Sequence, residues 1–299
     1  MMTEDVEDVV RRQSFDHEGA AEIDVATGPG RIDVRLVDEP GVHVEVRHDP
    51  DGASPFAMGM SSLMGWINTQ FGQGAEVPDS PAAEAVRQTR VDFSGGRLVV
   101  RTPKDMQLRN VSVAVSVQAP LGSHVMVKSG SGDLNVSGAA GRLEMTTGSG
   151  RVSADQAAGS AKVDTGSGVV RLGPMAAGVR AKTGSGDVEV TSVGGVSTVV
   201  TGSGDVWLGA VSSDVLARTG SGNVTVADAT AGQLELHTGS GEIRVGVHTG
   251  SRAEIDLSSG SGEARSDLDL SSTPPDSAPT LRIRGRTGSG SALVTTTAD

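Results

Sequence analysis

The sequence predicts an all-β fold, a single-stranded β-helix or β-solenoid with about 18 residues per rung and one short helical insertion. Three observations predict it. Gly-Ser-Gly starts at Gly130, Gly148, Gly166, Gly184, Gly202 and Gly220, in steps of 18, and again at Gly239, Gly260 and Gly288. Apolar residues alternate at spacing two on both sides of these turns, the period of a β-strand. Large rings are scarce, with four Phe, two Trp and no Tyr beside 42 Gly in 299 residues. A narrow core of Val, Leu and Ala needs none, whereas a globular core of this length normally uses them.

Each position of the repeat has a reading. Thr or Ser precedes every turn, as in Thr147, Thr165, Thr183, Thr201 and Thr219. After the turn come two apolar columns, one with Leu134, Val152, Val170 and Val188, the next with Val136, Ala154, Leu172 and Val190. Before it come two more, one with Val125, Leu143, Ala161 and Val179, the other with Val127, Met145, Val163 and Ala181. A rung therefore holds two short strands, closed by a second turn carrying Gly141, Gly159, Gly178 or Gly195. Stacked rungs bury these columns and set Thr upon Thr. Between Leu121 and Thr273 the one proline is Pro174, expected at a turn. The apolar pairs Val179/Ala181 and Val188/Val190 sit nine apart. That spacing fits two-sided rungs, not the three-sided hexapeptide coil of left-handed acyltransferases.

In chain order, residues 1–12 are expected as a tail or short helix, and 13–120 as irregular first rungs with a helical insertion at about 55–82. The strand patterns there are EIDVATGPGRIDVRL (22–36), VHVEV (42–46), RLVVR (97–101) and VSVAVSV (111–117). Regular rungs fill 121–299, with a loop at 267–280 carrying Pro274, Pro275 and Pro279. Within the insertion, Phe56, Met60, Leu63, Met64, Ile67 and Phe71 fall at helical spacing, and Trp66 stands among them. The plain reading is a helix capping the solenoid. The sharper one is a partner-docking or membrane-surface helix.

A net charge of −12 argues against nucleic acid. The absence of Cys excludes disulfides and thiolate metal sites. The N-terminus has no basic n-region followed by an apolar h-region, and no run reaches 18 apolar residues. The expected location is the cytoplasm, with the cell surface as alternative. The six His are scattered, no Gly-x-Ser-x-Gly elbow occurs, and the turns lack the Lys of a phosphate loop. No cofactor is expected. The acids after the turn, Asp133, Asp187, Asp205, Glu242 and Glu263, are the calcium candidates, because stacked carboxylates can ligate Ca²⁺. Arg151 and Val169 interrupt that column, which favours reading it as polar turn surface.

The recurring TGSGDVxV and TGSGNVTV, as in 183–190 and 219–226, follow VxAx. With that lead they resemble a bacterial family of β-strand-repeat domains of unknown function, the toastrack domain, labelled "putative adhesin". The resemblance covers roughly residues 15–296. It implies a right-handed single-stranded β-helix, no known catalytic residues, and association with envelope-stress systems. The expectation is a non-enzymatic scaffold with a protein partner, linked to envelope stress. The alternative is an exported adhesin binding host or cell-wall material along its Thr and Ser ladders. A carbohydrate-active β-helix enzyme is disfavoured by the lack of rings, and self-association through uncapped rungs is a further outcome.

Overall fold

The computed structural model describes residues 9–50, 80–268 and 278–297. Its β-branched, alternating segments are extended, as such residues prefer. Among the described residues they pair into two facing sheets, one of thirteen strands and one of twelve. A regular rung supplies one strand to each. Val179–Ser185 enters the twelve-stranded sheet and Val188–Val193 the thirteen-stranded sheet. Each pairs in parallel with its counterpart one repeat away, so Val163 lies beside Ala181, Thr165 beside Thr183, and Val170 beside Val188. All of these residues point into the slab between the sheets and are buried.

The Thr before the turn is buried too, and its hydroxyl serves the turn. Thr201 donates to Gly186 O at 3.2 Å, Thr219 to Gly204 O at 3.0 Å and Thr238 to Gly222 O at 2.8 Å. Each bond crosses to the neighbouring rung and satisfies a hydroxyl that would cost about 1–3 kcal/mol if buried unpaired. The two glycines of a turn have different reasons. Gly204 has φ 139°, a region closed to L side chains. Gly202 has an ordinary φ, but a Cβ there would come within 2.5 Å of Gly184 O. Close approach of rungs, rather than positive φ, therefore requires the first glycine.

Three details depart from simple alternation. A third inward column holds Ala157, Met175, Val193, Val211, Ala229 and Val247, all buried. It follows the previous inward residue by three positions, as Val193 follows Val190, except at Val247, which follows Val245 by two. Rungs that share the three-residue step pair in unbroken register, and the ladder shifts between Ala154 and Gln156 and between Val226 and Ala229, where the neighbouring rung takes a different step. Pro174 is not in a turn but in the strand Val170–Met175, exposed at this bend, where a missing N–H is tolerated. Ser197 stands in the column of Val179 and Val215 at 3% exposure. It donates to Gly195 O at 2.9 Å and accepts from Val179 N at 2.8 Å.

Both ends of the stack are interleaved. The rung made of Glu22–Pro29 and Ile32–Val37 does not lie outermost. It sits between Arg97–Arg101 with Val113–Pro120 on one side and His124–Ser131 with Leu134–Ala140 on the other. At the far end Leu281–Ser289 and Ala292–Thr296 insert between the rung of Gly232–Ser240 and Ile243–Val247 and the rung of Ala253–Ser259 and Ala264–Ser266. The outermost of these rungs is correspondingly open, with Ile255 and Leu257 half-buried and Ala264 exposed. Gly285 fits this packing, because a Cβ on it would come within 2.8 Å of Leu257 Cδ2.

Antiparallel strands finish the first end. Val10–Phe15 pairs with Val42–His48, which pairs with Val113–Pro120, and Arg90–Ser94 pairs with Arg97–Arg101. Residues 10–12 thus belong to a strand, not to a tail or short helix. Phe15 stacks on Phe93 with centroids 5.0 Å apart. The helix Pro81–Gln88 buries Ala85 and Val86 against this end. Ser80 caps it by accepting from Ala83 N at 3.2 Å, and Pro81 opens it, a start favoured because proline's missing N–H has no intrahelical partner there.

One buried charge braces the same end. Asp24 Oδ2 receives Arg97 Nη2 at 2.9 Å and Arg101 Nη2 at 2.6 Å. Burial pushes this carboxyl up, but the hydrogen bonds and charges of Arg101 and Arg97 outweigh it and hold it below its ordinary value. A depressed folded value gives stability that is full above the unfolded carboxyl's pKa of about 3.9 and is lost as pH falls through the folded value. Asp24→Asn is expected to lower stability at neutral pH by about 1–2 kcal/mol. It should also flatten the acid side of a melting-temperature profile, and an unchanged profile would count against the triad.

Candidate functional site

Side chains between the inward columns face solvent and repeat in register. On the thirteen-stranded sheet Asn135, Ser153, Arg171, Glu189, Trp207 and Thr225 stack in that order. Ser153 Oγ donates to Asn135 Oδ1 at 2.9 Å, Arg171 pairs with Glu189 at 3.4 Å, and Trp207 is 39% exposed.

On the twelve-stranded sheet the residue just before the turn Thr faces outward. Across neighbouring rungs this column runs Lys182, Val200, Arg218, His237, Arg286. Interleaving places Arg286 against His237 and moves Ser258 to the outside. Arg180, Lys182, Arg218 and Arg286 form no ion pair among the described residues. Other cations of this sheet are matched, Lys162 with Glu144 and Asp164 at 3.4 Å each, Arg282 with Glu254 at 3.1 Å, and Arg284 with Asp256 at 3.2 Å. Burial pushes the His237 imidazole below its ordinary pKa. The charges of Arg218, Arg286 and Arg284 add to this, and Glu235 opposes it.

The acids after the turn have backbone partners. Asp133 Oδ1 accepts from Arg151 N at 2.8 Å, Asp187 Oδ1 from Asp205 N at 2.9 Å, and Asp205 Oδ1 from Asn223 N at 2.8 Å. Asn223 continues the chain, accepting from Glu242 N at 2.9 Å. Each short polar side chain so ties one rung to the next. Glu242 turns to Arg244, and Glu263 is exposed in the open rung. Among the described residues no three such groups converge on a metal-sized space. Asp205→Ala is expected to cost about 1 kcal/mol in urea unfolding, while Asp205→Asn, which keeps the acceptor, leaves stability within about 0.5 kcal/mol. Millimolar Ca²⁺ raising the wild-type melting temperature but not that of Asp205→Asn would instead identify the column as a cation site.

At the capped end an open depression of about 390 Å³ is lined by Arg12, Arg35, His43, Glu45, Arg47 and Gln118, among others. Arg12 pairs with Glu45 at 2.8 Å, and His43 Nδ1 lies 2.9 Å from Ser14 Oγ. Phe56, Met60, Met64, Trp66, Ile67 and Phe71 lie outside the described residues. The turn Thr ladder, expected as a binding surface in the adhesin reading, is buried. The turn serines Ser149, Ser167, Ser185, Ser203 and Ser221 are the exposed part of that edge. Sequence reasoning singled out neither the helix Pro81–Gln88 nor the cationic column, although the signals were a Ser-Pro start and the residue preceding each TGSG.

Two facing sheets wound from one chain, with a repeating flank on each, define a two-sided β-solenoid. The chain belongs to the Toastrack DUF4097 family, which matches residues 90–278. No curated protein matches the sequence. Among solved structures it is similar to a "putative adhesin" from Bacteroides fragilis, at 10% identity and a TM-score of 0.39, over 96% of this chain and 97% of that one. A "putative adhesin" from Parabacteroides distasonis is 10% identical with a TM-score of 0.32, over 96% and 98%. A "putative lipid binding protein" from the same species is 10% identical with a TM-score of 0.28, over 97% and 95%. Likenesses of this size assign neither ligand nor location to the present chain. No described helix is long and apolar enough to cross a membrane.

Proposed function

We propose that this Toastrack chain is a non-enzymatic interaction protein that holds an extended partner against the flank of its solenoid, and that it does so as a surface adhesin. The observation that carries this reading is register. Rung after rung sets one outward-facing side chain beside another along both sheets, from Asn135 to Thr225 on one and from Lys182 to Arg286 on the other. Such a stripe suits a partner that is itself extended. Titratable groups recur along these stripes, whereas catalysis draws several of them to one point. Strands bonded on both edges open rarely, which favours survival among extracellular proteases.

Protease shaving of intact cells, read with an antibody to this chain, tests the location, and retention of the purified chain on washed cell envelopes tests the binding. Cleavage on intact cells together with retention supports the proposal. Full protection, with the chain in the cytosol, overturns the adhesin and leaves a cytoplasmic scaffold with a protein partner.

A further inference from the structure

We infer that the outer face of the twelve-stranded sheet, from the rung of Arg180 and Lys182 to the rung of Arg286, is a docking strip for a linear acidic polysaccharide. The inference rests on the adhesin reading and gives it a ligand class. Four cations on this strip, Arg180, Lys182, Arg218 and Arg286, lack ion-pair partners among the described residues of a chain whose net charge is −12. Unmatched cations on an acidic protein create a local field opposite to that of the whole, and a guanidinium presents paired donors suited to carboxylate or sulfate. At roughly 4.8 Å per rung, Arg218 and Arg286 stand about 10 Å apart with His237 between them, and Lys182 lies about 10 Å further along. Charges that recur along the solenoid axis match a thread of recurring anions better than one small anion.

The surroundings argue for a thread of this kind. Matched pairs mark the two ends, with Glu144 and Asp164 on Lys162 before the rung of Lys182 and Glu254 and Asp256 on Arg282 and Arg284 beside Arg286, and Glu235 stands between, abreast of Arg284. A planar anionic membrane would meet all of these carboxylates within a screening length, whereas a single chain can follow the column of Lys182, Arg218 and Arg286 beside them. No Phe or Trp stands on this stretch, so bases find nothing to stack on and neutral sugars no ring platform. Recognition then rests on charge.

The test uses the full chain and a fluorescently labelled linear polygalacturonate, read by anisotropy at low salt. Neutral dextran, phosphatidylglycerol vesicles and single-stranded DNA are the comparison probes. The expected result is polygalacturonate binding that weakens with added salt and falls at least about tenfold in Arg218→Ala/Arg286→Ala. Arg171→Ala, on the opposite sheet, is expected to bind as wild type does, and equal melting temperatures show that the variants fold. No polygalacturonate binding, or binding indifferent to the double substitution, overturns the inference. Tighter and equally Arg218-dependent binding of vesicles or DNA overturns it in favour of that partner. Retention of the chain on cell envelopes with no polygalacturonate binding sinks the inference alone and leaves the adhesin reading standing.

Discussion

Gly204→Ala is expected to lower the melting temperature by roughly 5–10 °C, among the largest effects of any single-methyl change in this chain. Gly204 has φ 139°, where an L residue carries strain of about 1–3 kcal/mol. The added Cβ would also overlap the carbonyl of Gly186 one rung away. Relieving that overlap separates the two rungs at the turn, where Thr201 donates to the same carbonyl, Gly186 O. That hydrogen bond is thereby weakened, and a buried hydroxyl is put at risk of losing its acceptor. Gly19→Ala is the comparison, because Gly19 also has positive φ, at 81°, but a Cβ there meets nothing within 4 Å. It should show the backbone strain without the contact. Equal melting temperatures for the two variants would mean that the close approach of rungs carries no stability.

Ile283→Ala is expected to cost about 3 kcal/mol and to loosen two rungs rather than one. Ile283 is 2% exposed and lies between Leu234 on one side and Ile255 on the other. Stacked repeats hold mainly to their nearest neighbours, so a weakened rung releases whatever is held only through it. The outer rung, 253–266, is held through the inserted one. Amide exchange should therefore lose protection across both 253–266 and 281–296, while 143–229 keeps its protection. Ile255→Ala, in the half-buried outer rung, should affect 253–266 alone. Protection of 253–266 that survives Ile283→Ala would contradict the interleaved order.

Alternation at spacing two and the 18-residue period suffice to place the four main inward columns, the two strands of each rung and the stacking of Thr on Thr. These are local properties, because a strand's side chains alternate whatever lies next to it. Tertiary structure decided the rest. The third inward column stands three positions after the second in most rungs and two at Val247, a break in the alternation that a period search cannot see. Asp133, Asp187 and Asp205 became ties between rungs because each reaches a backbone N–H one repeat away. The cationic cluster depends on order most of all. Along the chain Ser258 follows His237 in the repeat, and Arg286 comes last. Insertion of the final rung sets Arg286 directly beside His237 and puts Ser258 at the outside. Nearly identical rungs present nearly identical edges, so a rung's own pattern states which face is buried but not which neighbour it meets. That choice falls to the long connections at the two ends, and it is what adds Arg286 to the cations that the regular repeat already aligns.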